Sequence, residues 1–350
     1  MAAYTDIDDP TAYFQTILFA SKGAITFDGS SDLQPDMIWN KNRDSAGYSH
    51  HIVDSVRGVS KLLRVDSNIA EFTSADSITS LNTDGFTIGN DANGYMQSGS
   101  DKIVTWGWKA GTSFTNDASA TGIGTIDSTG SVNDTAGFSI CTHTGTGSTA
   151  TIKHGLSTAP KMIITKKRSA TGGWQVGHES IGWGNGVYLN DTDASTGDAG
   201  AWNSTAPTSS IFTVGNSSFT NQSSATYVSY IFSERKGYSK FSSYTGNGNA
   251  DGTFVYTGMK SSFIMLKPTS TTGNWFILDN KRSSFNVMDK YIRANQSSAE
   301  ATFSMMDFVS NGVKIKTSDS SINGSGVSYI YMCFAENPFV TSTGIPTTAR

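Results

Sequence analysis

Three stretches of this chain repeat one another at a fixed interval. PDMIWNKNRDSAGY surrounds Lys41, PKMIITKKRSATGGW surrounds Lys166 and SSFIMLKPTSTTGNW surrounds Lys267. Each leads to an aromatic run: KIVTWGW ends at Trp108, YVSYIF at Phe232 and YIYMCF at Phe334, so the spans from lysine to aromatic are 67, 66 and 67 residues. What recurs is a framework of strands and turns. No catalytic group recurs with it, which points to a structural or binding protein.

The copies can be followed further. Each opens on a Phe-led run before a Gly turn (Phe14, Phe138, Phe241), and the lysine run is followed seven or eight residues later by Tyr48, Trp174 and Trp275. Next come runs around Leu63, Leu189 and Ile292, then GFTIG, IFTVG and GVKIK, centred on Phe86, Phe212 and Val313. Short β-branched and aromatic runs divided by Gly/Asn/Asp/Ser clusters are the mark of antiparallel strands. In the first closing run, Val104, Trp106 and Trp108 alternate with Ile103, Thr105 and Gly107 and would face one side. DSVRGVSKLL has apolar residues at helical spacing, but its counterpart ESIGWGNGVYL carries three glycines, so at most one helical turn is expected there.

The reading is all-β, three tandem antiparallel β-sandwich units. The boundaries are an N-terminal arm 1–12, unit one 13–111, a linker 112–136, unit two 137–237, unit three 238–340 and a tail 341–350. The linker follows from spacing. Lys41 to Lys166 is 125 residues but Lys166 to Lys267 only 101, and the surplus matches a Ser/Thr/Gly/Asp stretch whose composition suits a flexible spacer. Units two and three are therefore expected to pack closely, with unit one hinged or displaced.

Charged residues make up 15% of the chain, against about 25% in an ordinary globular protein. Hydroxyls and amides fill the surface instead, which suits a packed assembly or a sugar-facing surface. A net charge of −4 and no basic run longer than Lys166–Arg168 argue against nucleic acid. No apolar run approaches the roughly 18 residues of a membrane span. The acidic start MAAYTDIDDP lacks the layout of a signal peptide. Cys141 and Cys333 fall in apolar strands of different units and read as buried free thiols.

No strong catalytic signal appears. The matched lysines read as strand-end residues whose stems cover apolar surface while the amines reach water or a carboxylate. Tyr48, Trp174 and Trp275 read as packing residues because they recur. Aromatics peculiar to one copy are better ligand candidates, and Trp183 in IGWGNG and Trp202 in GDAGAWNSTAP stand outside any strand pattern, where exposure is expected. A glycosidase pair could be sought among Glu179, Asp191, Asp193, Glu234 and Glu336, but turn aspartates and strand-end glutamates are ordinary. Asp191 and Asp193 lack the rest of a calcium loop, the histidines have no metal spacing, and no GxSxG elbow marks a serine nucleophile. The expectation is no catalytic residue, no metal and no cofactor.

Longer motifs carry a resemblance. DDPTAYFQT, PDMIWNKNRDSAGYSHH, GFSICTHTGTGSTATIKHGLSTAPKMIITKKR, YLNDTDA, GYSKFSSYTGNGNADGTFVYTG, NWFILDNKRS and AENPFVTSTGIP resemble a family of repeat-built virion proteins of marine bacteriophages, described as tail-fibre or tail-appendage proteins. The resemblance covers nearly the whole chain. It implies a concanavalin/lectin-like or jelly-roll-like β-sandwich fold and a protein of the virion, assembled in the host cytoplasm and exposed on released particles. It further implies other virion proteins as partners and homo-oligomerisation with a trimer as the usual form; the first reading is then an appendage that contacts host-surface polysaccharide through loops of the units. Collagen-like, coiled-coil or β-helical shaft repeats are missing, so a compact tip, an adaptor or a capsid decoration protein are alternatives, and a glycan-cleaving depolymerase is a third reading. The acidic arm with Asp6, Asp8 and Asp9 is the expected virion-attachment end.

Overall fold

Each copy contributes the same five strands in the same order. The opening strands are Phe14–Phe19, Phe138–Thr144 and Ser239–Thr245; the lysine strands are Met37–Asn42, Met162–Lys167 and Met259–Pro268. Third strands run over His51–Asp54, Trp174–His178 and Phe276–Asp279, and fourth strands over Lys61–Arg64, Asn185–Tyr188 and Met288–Arg293. The closing strands are Ile103–Trp108, Thr226–Phe232 and Ser328–Pro338. In every copy the sheet order is opening, closing, lysine, third, fourth, and every pairing is antiparallel. The computed structural model describes residues 4–348.

One face of each sheet is turned to a shared interior. A single buried cluster holds Trp39, Val104, Trp106 and Trp108 from unit one, Ile164, Tyr230 and Phe232 from unit two, and Phe263, Met332 and Phe334 from unit three. The alternation in KIVTWGW anticipates which residues point in. The rings touch across units: Phe14 stacks on Phe334 at 4.9 Å, Trp108 meets Phe263 at 6.0 Å and Phe232 meets Phe334 at 6.1 Å. Burial of so many rings between copies makes the units mutually dependent.

The other face of each sheet has its own cluster and its own cover. Unit one adds a three-stranded sheet of Gly23–Ile25, Phe86–Ile88 and Ile78–Leu81; unit two adds the pair Ala150–Lys153 and Ile211–Val214. In unit three the cover is continuous with the main sheet. Ala301–Val309, Gly312–Ile315 and Phe254–Tyr256 extend it to eight strands, nearly closing it into a barrel around Ile264, Leu278, Phe308 and Val313.

Two expectations about organisation fail. The stretch assigned to a linker, 112–136, forms strands Thr112–Asn116 and Ser128–Asn133, which extend the unit-two sheet beyond its opening strand. Its polar composition fits an edge strand, which needs backbone partners more than apolar side chains. Gly130 is required there, since a Cβ would lie 2.1 Å from the Ile140 carbonyl. Unit one is accordingly neither hinged nor displaced; it packs on both neighbours. The helical spacing in DSVRGVSKLL proves to be a turn, because Asp54 accepts the backbone N–H groups of Val56 and Arg57 before the fourth strand begins.

Candidate functional site

The recurring polar residues meet at three seams between units. Each matched lysine is fully buried, and its ammonium donates to three backbone carbonyls, the number it can serve. Lys41 reaches Asn42, Tyr48 and, in unit three, Ser297 (3.4 Å). Lys166 reaches Lys167, Gly172 and, in unit one, Asn68 (3.4 Å). Lys267 reaches Pro268 and, in unit two, Thr192 (3.0 Å) and Asp193 (2.9 Å). The pattern is cyclic: one binds three, two binds one, three binds two. Burial pulls each ammonium down to about 8. The sequence reading expects water or a carboxylate as partner; the ammonium instead serves backbone carbonyls of its own unit and of the neighbour.

The same cycle repeats in the surrounding bonds. Gly47, Gly172 and Gly273 donate backbone N–H groups to Ser297, Asn68 and Thr192, while Glu300, Glu71 and Ser195 donate theirs to Arg43, Arg168 and Thr269. Indole N–H groups of Trp174 and Trp275 reach the Arg64 and Tyr188 carbonyls, both at 2.8 Å. In unit one the matching residue is His50, not the Tyr48 that spacing suggests. His50 accepts from Trp39 through Nδ1 and so donates from Nε2 to the Arg293 carbonyl at 3.0 Å. The turn before it is longer, which moves the match along the chain.

Side chains differ between seams. Between units one and two, Arg168 binds both oxygens of Glu71, Arg57 links Glu71 to Asp54, and the Tyr230 hydroxyl donates to Asp54 at 2.7 Å. Between units three and one, Arg43 binds both oxygens of Glu300, Arg282 joins it to Asp279, and the Trp106 indole donates to Asp279 at 3.1 Å. Between units two and three, Met332 occupies the Trp106/Tyr230 position and has no donor. His178 takes the aspartate's place and donates from Nε2 to the Tyr331 carbonyl at 3.3 Å.

The other candidates are engaged internally. Trp183 and Trp202 are buried (7% and 0% exposed) and meet edge-to-face at 5.8 Å, so the exposure expected of them is absent. They fill a space left by Gly177, which stands where the other third strands carry Val53 and Leu278; a Cβ there would lie 2.6 Å from Trp183 and 2.8 Å from Trp202. Glu179 pairs with Lys161, Glu234 with Lys240 at 2.8 Å and Glu336 with Lys260 at 3.2 Å. Asp191 accepts the Thr192 N–H, and the loop from Asp191 to Asp193 serves the Lys267 seam. All five histidines are buried; burial pulls His143, His154 and His178 to about 4 and His51 to about 3. Cys141 and Cys333 are buried free thiols, and burial pushes Cys141 up to about 12. Among the described residues, no cluster of His, Cys, Asp and Glu is arranged to hold a metal ion, and no helix is long and apolar enough to cross a membrane.

The N-terminal aspartates fasten the arm to the body. Asp6 exchanges bonds with Lys236 at the corner between units two and three, Asp8 accepts from Ser342 near the other terminus, and Asp9 caps the turn Pro10–Ala12 and accepts from Ser30 and Ser31. Ile7 sits in the shared interior. Gly237 lets the arm approach, because a Cβ there would lie 2.4 Å from the Thr5 hydroxyl.

That corner also opens a cleft of about 300 Å³. Its walls are Ser239 and Lys240 from one end of the unit-three sheet, Tyr256 from the other end, and Tyr4 and Phe339 from the two termini. Tyr4 is 58% exposed, Tyr256 60% and Phe339 37%. Among the described residues, every large apolar side chain that is exposed lies in unit three or beside the termini: these three, with Phe254, Phe285, Phe303 and Ile345. The departure is legible strand by strand. Ile25, Ile152 and Val255 are equivalent and buried, but their neighbours are Ala24 and Thr26, Thr151 and Lys153, then Phe254 and Tyr256.

A family model, a domain of unknown function (DUF7483), matches residues 9–338, and the chain belongs to that family. No curated protein and no solved structure matches the chain.

Proposed function

We propose that this protein is a structural component of a bacteriophage virion, a tail-fibre or tail-appendage module that contacts the host surface through its third unit. The observation that carries this reading is the polarised surface: units one and two bury their large apolar side chains, whereas unit three and the adjoining termini present theirs. Exposed aromatic side chains concentrated in one unit suit contact with a partner. The motif resemblance supports the virion context, with other virion proteins and host polysaccharide as partners. On this reading the protein acts by binding rather than turnover, in keeping with carboxylates tied to lysines and to turns. Each unit is further read as a β-sandwich of lectin-like or jelly-roll-like type, supported by the second layer over its outer face.

Capsid decoration is the second reading, favoured by the cyclic seams. A single chain with three equivalent units suits a three-fold position on a shell without three copies. Gold-labelled antibody on intact particles separates the readings under the electron microscope. Label at the tail tip or fibres is expected; label spread over the head makes it a decoration protein, and unlabelled particles remove the virion assignment.

A further inference from the structure

The cleft at the corner of units two and three exists because the eight-stranded sheet of unit three stops short of closure. Its two end strands, Ser239–Thr245 and Phe254–Tyr256, leave a gap whose rim is finished by residues from both chain ends. Inside are two kinds of surface. Tyr4, Tyr256 and Phe339 offer open ring area, while Glu234, Ser239 and Lys240 supply polar atoms. Glu234 and Lys240 are bonded at 2.8 Å, so the carboxylate and the ammonium are held in place, and each keeps bonding capacity for a second partner.

This combination fits one chemical class well. A sugar ring has an apolar C–H face that packs on an aromatic ring and an edge of hydroxyls that both donate and accept. A volume of about 300 Å³ lies at the lower end of small-ligand sites, the size for one or two sugar rings. A protein partner would call for a flatter and larger surface. A cleft of about 340 Å³ lies at the equivalent place in unit one, beside Phe14, Gln15 and Asp28, but the aromatic wall has no match there or in unit two, where Ala24 and Thr26, or Thr151 and Lys153, replace Phe254 and Tyr256.

We propose that this cleft is a saccharide-binding site, with Tyr256 and Phe339 packing on the ring face and Glu234 and Lys240 bonding its hydroxyls. It deepens the host-contact reading and rests on it. It moves the binding site from the buried Trp183 and Trp202 to side chains that solvent reaches.

The test is binding of the full-length protein to an array of neutral and uronic-acid oligosaccharides of two to six residues, followed by titration calorimetry with the best-bound one. Wild type is expected to bind. Tyr256→Ala and Glu234→Gln are each expected to weaken binding at least tenfold with an unchanged thermal midpoint, and Phe285→Ala, 80% exposed but outside the cleft, to leave it unchanged. Binding that survives both cleft variants overturns the site while leaving a glycan contact elsewhere on the protein. Wild type that binds nothing on the array overturns the site and the glycan partner together, while particle labelling still decides virion membership.

Discussion

The seams that join unit one to its neighbours contain buried charge, whereas the seam between units two and three has Ser195, Thr269 and His178 at the matched positions. The backbone plan is common to all three: a lysine on carbonyls, a glycine N–H on the same carbonyl, an aromatic ring N–H on the fourth strand's last carbonyl. What differs is the side-chain solution around it. Where the closing strand offers a Trp106 or Tyr230 donor, an aspartate receives it and an arginine neutralises that aspartate; where it offers Met332, a neutral imidazole serves. One chemical change in the core thus alters a whole set of charges, because a buried carboxylate without donors is costly.

Acid should produce the largest effect, and in the seam between units two and three its target is His178. With His143, His154 and His178 held to about 4 and His51 to about 3 by burial, against a free value of 6.5, and His50 also pulled down by burial, the histidines bind fewer protons in the folded state than in the unfolded chain. Stability therefore falls as pH is lowered from about 6.5 to 4. Urea midpoints across that window should decline, and His178→Gln should flatten the decline. A midpoint constant from pH 7 to 4 would contradict the burial of neutral imidazoles.

Next in size are the carboxylates of the charged seams. Asp54→Ala and Asp279→Ala each take the nearer of two carboxylate partners from a fully buried arginine, Arg57 or Arg282, leave the Tyr230 or Trp106 donor unmet, and should cost about 3 kcal/mol in urea unfolding. A loss under about 1 kcal/mol would mean that these networks do not hold the seams. Lys41→Met, Lys166→Met and Lys267→Met probe what the seams share. Each leaves carbonyls without a donor and should cost about 1–3 kcal/mol, with similar values in all three. A much larger loss at Lys267 would show that the seam without buried ion pairs leans harder on its lysine. The smallest effect comes from transplantation: Ser195→Glu with Thr269→Arg recreates the Glu71–Arg168 pair and should raise stability by about 0.5–1 kcal/mol.

Much of the framework can be read from the chain by itself. The period, the five strands, the inward face of Val104, Trp106 and Trp108 and the buried thiols follow from alternation and spacing, which are local properties. The seams are not local. Lys41 and Lys166 meet carbonyls 256 and 98 residues away, and a carbonyl has no sequence identity to recognise. Trp183 and Trp202 looked exposed because their loop is polar; only the register that places Gly177 beneath them shows the space they fill. The strands in 112–136 were hidden because an edge can be built from Ser, Thr and Gly. Tyr256 in TFVYTG is likewise an aromatic peculiar to one copy, and a strand-by-strand comparison of the copies makes it legible in the sequence.

The bond between Asp8 and Ser342, residues 334 apart in sequence, brings the two ends of the chain together where the third unit meets the arm. The order in which the units are translated is therefore not built into the seams. A circular permutant opened at Gly111, an exposed glycine at φ +92° with open space around its Cα, and sealed by a short Gly/Ser bridge between the original termini would start with unit two, end with unit one, and retain every interdomain bond described above.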